Sequence, residues 1–290
     1  MPDLLNQIVH TAQSNYDQLT IPEATAIQME LSRYLNLDPM QTPVRTIAGA
    51  DISLSLYSET VYAGMVILSY PDLQPISYSL VKSSTTFPYV PGYLAFREIP
   101  ALLQVYEQIP VKPDVVMFDG NGIIHKKRMG IASHFGVLTG ATTMGCAKKK
   151  LTGTYQDPAE DRGEHSWVID KAEKIGYALR SKDKVKPVFI SPGHKMSLED
   201  QSCNCIKMSA QAPVARAHPQ SPRICEPLPD RSTDSRLPRS TEINAILTPY
   251  QSRPAGSFWD QNRIPRTSRP RACCQVHTCI YRALLPRLRS

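Results

Sequence analysis

Several class-defining features are missing from this chain. Its longest apolar stretches, such as residues 62–68, fall far short of the roughly 20 residues that a membrane-crossing helix needs. Residues 1–20 carry Asp3, Asp17 and several Gln and Asn, without the basic and then apolar regions of a secretory leader, so a cytoplasmic protein is expected. Residues 1–200 hold one cysteine, Cys146, which excludes a scaffold built on disulfides there. With 14 Gly and 25 Pro in 290 residues, and 41% apolar and 20% charged content, the chain is neither collagen-like nor wholly disordered. It is long enough for one large domain or two small ones with a real core.

The net charge of +7 does not describe the chain evenly. Residues 1–200 carry 19 Lys and Arg against 21 Asp and Glu, whereas residues 201–290 carry 14 against 5, and 13 of those 14 are Arg. The last 90 residues also hold six of the seven Cys, 11 of the 25 Pro and one of the 14 Gly. A general affinity for nucleic acid therefore cannot be inferred from the total. Two regions are expected: a folded domain over 1–200, and an Arg-, Pro- and Cys-rich tail over 201–290 without sustained periodicity, irregular or disordered.

Within the first region, Ile27, Leu31, Tyr34 and Leu35 recur at helical spacing after Thr20-Ile21-Pro22. Residues 44–52, 61–70 and 76–81 are rich in β-branched and aromatic residues or alternate strictly, and short connections join them, which predicts an antiparallel meander. Residues 94–109 read as a helix in which Pro100 fits only the first turn. Residues 115–118, Val-Val-Met-Phe, form a short apolar run without alternation, as expected of a strand buried on both faces. A helix over 131–138 and strands over 141–147 and 187–190 complete the pattern. The expectation is an α/β domain, a mixed sheet covered by helices on both sides.

Three carboxylates occupy costly positions. Asp51 lies inside an apolar strand, Asp119 ends the buried run, and Glu98 lies near the start of a helix behind a Pro-Gly loop. Converging carboxylates at strand ends form an oxygen ligand set suited to Mg²⁺, but the same residues could simply cap turns. In Pro88-Tyr89-Val90-Pro91 the two prolines stiffen the backbone and project an aromatic tip, either as a wedge between bases or as an ordinary loop. His125 and His134 could donate protons, orient water or be satisfied surface histidines. Lys148-Lys149-Lys150 is either a solvated face or a phosphate contact.

Taken in order, G-A-D-I-S at 49–53, P-Y-V-P-G-Y-L-A-F-R-E at 88–98, F-D-G-N-G-I-I-H at 118–125, M-G-I-A-S-H-F-G-V at 129–137, G-C-A-K-K-K-L at 145–151 and P-V-F-I-S-P-G-H at 187–194 resemble the endonuclease V family. The resemblance implies a ribonuclease H-like fold, a mixed β-sheet flanked by helices. It also implies Mg²⁺-dependent hydrolysis, with Mn²⁺ as substitute, of the second phosphodiester bond 3′ to deoxyinosine in DNA repair. By matching positions, Asp51 and Asp119 would hold the metal and Glu98 would complete the acidic site. His125 would assist around the attacking water and Lys148 would face the scissile phosphate. Pro88, Tyr89, Val90 and Pro91 would form the DNA wedge, and Gly92, Leu94, Gly120, Gly130 and Ile131 the base pocket. The implied partner is deoxyinosine-containing DNA, with inosine-containing RNA as an alternative; no membrane is expected, and a monomer is. A remnant that binds such nucleic acid without cutting it is a further reading.

Two departures stand out. Lys126-Lys127 occupies positions where the family commonly has Pro then Arg, and the resemblance stops near Asp200, where a further helix and a helix-borne polar group are expected. A change of reading frame near codon 200 would account for the abrupt shift in composition; an added basic arm for phosphates is the rival. Cys273-Cys274 with Cys279 lacks the paired spacing of common structural zinc sites.

Overall fold

The computed structural model describes residues 7–8, 10–12, 16–54 and 59–200. The readings of the tail as irregular, frame-shifted, phosphate-binding or zinc-binding all lie outside the described residues. Helix α1 spans Ile21–Leu31 and opens with a reciprocal cap: Thr20 Oγ1 accepts from the Glu23 amide, and the Glu23 carboxylate accepts from the Thr20 amide at 2.8 Å. A 3-10 turn, Ser32–Tyr34, ends the helix early. Leu31 is fully buried, and Ile27, Tyr34 and Leu35 pack against the same core.

Three antiparallel strands follow, β1 (Thr46–Leu54), β2 (Thr60–Ser69) and β3 (Pro75–Ser84), as the meander reading predicts. The alternation in β3 misleads about burial, because Ile76 and Tyr78 face outward while Ser79 is buried and donates to Gln108 at 2.7 Å. Helix α2 covers Leu94–Glu107, with Pro100 seven residues in and buried, not in the first turn as expected. Its apolar face packs on the sheet through Phe96, Ile99 and Leu102, and this packing outweighs the loss of one helical donor.

Strand β4 (Val115–Phe118) is buried on both faces. Val116 and Phe118 join the large core beneath the helices, whereas Val115 and Met117 join a second core on the opposite face, so no alternation could show in the sequence. Helix α3 (Ile131–Thr139) starts after Gly130 and stops at Gly140, which takes φ +68° and donates its amide to Gly136 O at 2.8 Å. Strand β5 (Thr143–Ala147) follows. The hairpin β6 (His165–Asp170) and β7 (Glu173–Leu179) was not anticipated, and β8 (Val188–His194) runs through Pro192 rather than stopping at 190. An irregularity opposite, between Thr143 and Met144, accommodates that proline.

The eight strands form one sheet in the order β3-β2-β1-β4-β5-β8-β7-β6, parallel where β4 pairs β1 and β5 and antiparallel elsewhere. It is a ribonuclease H-like mixed sheet. Helices α1, α2 and α3 share one face. On the other face, Leu198 packs against the second core within a helical turn at 198–200. That turn has its own cap: Asp200 accepts from the Ser197 amide at 3.1 Å and from the Met40 amide at 2.9 Å. Coverage of both faces is thus met by whole helices on one side and, among the described residues, by a first turn on the other. Among the described residues no helix is long and apolar enough to cross a membrane.

Candidate active site

The parallel pairing of β1 with β4 aligns Ala50 with Phe118, so the next residues, Asp51 and Asp119, lie side by side where β4 ends and β1 continues. The Asp119 amide donates to Ala50 O at 3.2 Å, which extends the ladder by one step and fixes the start of the loop. Lys148 follows the end of the neighbouring parallel strand β5 and reaches Asp119 Oδ2 at 2.6 Å. Glu98 enters from α2, one turn after Leu94 on the same helical face.

Asp51, Glu98 and Asp119 line one cavity of about 130 Å³, whose apolar walls include Leu102, Phe118 and Ile131. The Glu98 carboxyl is pushed up to about 8, first by burial and then by the charges of Asp51 and Asp119, with Arg97 opposing. Asp51 Oδ1 accepts from the Ile52 amide at 2.8 Å. Among the described residues no three metal-ligating side chains are already gathered around one point. The carboxylates face a shared space, and an exposed ammonium, Lys148, pairs with Asp119. All three are hard oxygen donors of like sign around a small cavity, and their mutual repulsion fits a divalent cation bound by carboxylates.

The loop of Pro88, Tyr89, Val90 and Pro91 has a buried stem and a free tip. Phe87 is fully buried and stacks on Phe96, whereas Tyr89 is 53% exposed. Asp17 Oδ1 accepts from the Thr86 and Phe87 amides at 2.8 and 3.0 Å, and the Arg97 guanidinium donates to Phe87 O. Gly92 takes φ +86°, a turn that a side chain would strain.

The remaining expected pocket residues border this region. Ile131 lines the acidic cavity, and a Cβ at Gly120 would lie 2.5 Å from Ile131 Cγ2. Gly130 is required by close backbone packing, since a Cβ there would fall 2.1 Å from Asn121 O. Leu94 is 37% exposed at the first position of α2. Neither α2 nor α3 has a side-chain N-cap, so the first-turn amides after Tyr93 and Gly130 are not covered by a capping side chain.

The histidines separate. His134 is a core residue, not a surface one: it is fully buried, 3.1 Å from the Tyr16 hydroxyl and edge-on to Phe96, and burial pushes it down to about 3. His125 is buried with both ring nitrogens engaged by backbone groups, and burial lowers its pKa. Within the lysine run, Lys148 meets Asp119 whereas Lys150 donates to Gly153 O at 2.6 Å. Sequence reading missed Asp17, Gln28, Tyr93 and Arg97. An arginine directly before Glu98, within the apolar first half of the helix, was the one available signal among them.

The sequence profile of the endonuclease V family matches residues 29–219. Endonuclease V of Trichormus variabilis is 44% identical over 181 residues, covering 62% of this chain and 82% of that protein, and endonuclease V of Dictyoglomus turgidum is 40% identical over 206 residues, covering 70% and 90%. The crystal structure of endonuclease V from Streptomyces avermitilis superposes with a TM-score of 0.63 at 36% identity, over 67% of this chain and 86% of that one. The Ciona intestinalis enzyme, in complex with a 24mer DNA containing an inosine followed by a ribo-adenosine, gives a TM-score of 0.56 at 30% identity, over 65% and 89%. Profile, relatives and superposed structures agree, and this chain belongs to the endonuclease V family of nucleases.

Proposed function

We propose that the chain is a divalent-metal-dependent endonuclease that repairs DNA by cutting the second phosphodiester bond 3′ to deoxyinosine. The observation that carries this reading is the shared cavity of Asp51, Glu98 and Asp119 at the end of the parallel strands, with Lys148 at its rim. Asp51 and Asp119 would hold Mg²⁺, with Mn²⁺ as substitute, and Glu98 would complete the site once it loses its proton. When bound, such an ion neutralises phosphate charge and acidifies water.

The chain's own groups account for the rest. Lys148, whose side chain is 74% exposed, exchanges Asp119 for a phosphate oxygen when substrate enters. Tyr89, on its stiff loop, fills the gap left by the displaced base. First-turn amides near Leu94 and Ile131, which no side chain caps, would offer a donor to the O6 acceptor of hypoxanthine, where adenine would present a competing donor. Extruding the base costs a few kcal/mol, and least where the pair is already weak.

Cutting of inosine-containing RNA is a second reading, favoured by the ribo-adenosine that follows inosine in the Ciona intestinalis complex. The test is nicking of an inosine-containing DNA duplex and an inosine-containing RNA strand, with Mg²⁺ or EDTA, by wild type and Asp51→Ala. Metal-dependent cutting by wild type alone supports the proposal, and the preferred strand decides between DNA and RNA. Equal, metal-independent behaviour of the two proteins rejects catalysis and leaves a binding remnant.

A further inference from the structure

His125 is part of a closed ring of hydrogen bonds. The Lys127 amide donates to His125 Nδ1 at 3.2 Å, so Nδ1 is the acceptor and the proton of the neutral ring sits on Nε2. That Nε2–H donates to Gly92 O at 3.0 Å. Gln28 Nε2 donates to the same carbonyl at 2.9 Å, and Gln28 Oε1 accepts from Lys127 Nζ at 3.2 Å, which also settles which way the amide points. Lys127 Nζ further donates to the Tyr93 hydroxyl at 3.0 Å, and that hydroxyl pairs with Thr25 Oγ1 at 2.6 Å.

The ring joins three segments distant in sequence: α1 through Gln28, the turn after the wedge through Gly92, and the loop after Asp119 through His125 and Lys127. Gln28 is fully buried and His125 is 4% exposed, so water does not compete for these bonds. The other stem of the wedge loop is held in the same way, by Arg97 on Phe87 O. Arg97 adjoins Glu98, and His125 follows Asp119 by six residues, so both stems are tied to elements that carry the acids.

We propose that His125 is a positioning residue: as its Nε2–H tautomer it clamps the Gly92 carbonyl together with Gln28, and so fixes the wedge loop and base pocket relative to the carboxylates. A ring with both nitrogens committed to backbone groups has no lone pair or proton left for the attacking water. This assignment rests on the proposed function for its kinetic consequence but not for its tautomer.

Two measurements test it. In ¹⁵N-histidine-labelled protein at pH 7 without metal or DNA, the signals lost in His125→Gln must be those of an Nε2–H tautomer; an Nδ1–H tautomer or an imidazolium overturns the proposal. In nicking assays His125→Gln keeps a donor at the Nε2 position but cannot carry a proton at neutral pH. It is expected to stay within about threefold of wild-type kcat with an unchanged pH profile, while His125→Ala and Gln28→Leu raise KM more than they lower kcat. If His125→Gln falls with His125→Ala and loses a limb of the pH profile, His125 carries a proton and the proposal is wrong. A wild type that leaves inosine-containing DNA intact refutes the proposed function instead, and the tautomer still decides the clamp.

Discussion

The edge and the centre of the β-sheet treat buried charge in opposite ways. Near β7, Arg180 is buried, yet its guanidinium donates to Pro158 O at 2.6 Å, to Ala159 O at 3.0 Å and to Val185 O, and Asp157 lies 3.4 Å away. At the end of β4, Asp51, Glu98 and Asp119 share one cavity with like charge, and the compensating ammonium of Lys148 is exposed. Satisfied charge of the first kind stabilises the fold, and congested charge of the second kind costs stability unless a cation or substrate arrives. The contrast separates residues that hold the molecule together from residues held ready for another charge.

The contrast breaks most visibly at Asp119. Asp119→Asn should lower Mg²⁺-dependent nicking by about 10³-fold or more. The same change removes a carboxylate charge from the shared cavity, so the melting temperature in EDTA should hold or rise. A variant that loses activity together with several degrees of stability would show that the acids are structural.

Arg180→Ala is the converse. Leaving three carbonyls without their donor should cost on the order of 3 kcal/mol of stability, read by urea unfolding, while nicking per folded molecule stays near wild type. A large loss of kcat without loss of stability would place Arg180 in the chemistry and erase the distinction.

The pH dependence of the metal-free protein sharpens it further. Glu98 keeps its proton up to about pH 8 when folded, whereas the ordinary value is 4.5. Its contribution to stability is therefore complete below 4.5 and is lost as the pH rises towards 8. His194, held at about 4 mainly by burial, acts in the opposite sense, losing stability as pH falls below 6.5. Between pH 6.5 and 8 the melting temperature in EDTA should fall, and Glu98→Gln should flatten that slope. A flat wild-type curve would mean that the acids are not congested.

How much of this could be read from the sequence depended on whether the cause was local. The run 115–118 and the strained place of Asp51 and Asp119 were legible, because burial on both faces and a carboxylate at a strand end leave their mark in adjacent residues. The hairpin of β6 and β7 was not: β6 mixes half-buried and exposed positions, and the hairpin joins the sheet through the distant pairing of β7 with β8 rather than through a pattern of its own. Pro100 was misjudged because tertiary packing of α2 overrides its local penalty. The ring around Gly92 joins residues 28, 92, 125 and 127, a juxtaposition that only the fold creates. The cap of Ser197 with Asp200 opens a helical turn on the second face just before the composition changes. Translating the other two frames after codon 200 therefore has a defined target: an amphipathic continuation of that turn, whose absence from both frames removes the frame-change reading.

The smallest effect is expected on the same sheet edge as Arg180, at the fork of Arg128 onto Asp170 at 2.8 Å and Glu173 at 2.7 Å. The two acids differ in setting, since the Asp170 side chain is 20% exposed and that of Glu173 is 57% exposed. Exposed ion pairs are screened, so Glu173→Gln should cost about 0.5 kcal/mol or less, and salt should erase the difference from wild type. Asp170→Asn should cost more, about 1 kcal/mol, and resist salt, because the Asp170 carboxylate is itself less exposed to water than that of Glu173. Nicking should be unchanged in both if the fork serves the fold alone. Equal costs for the two variants would mean that pairing geometry, rather than access of water, governs charge at this edge, and the division between a satisfied edge and a congested site would then have to be drawn on geometry as well.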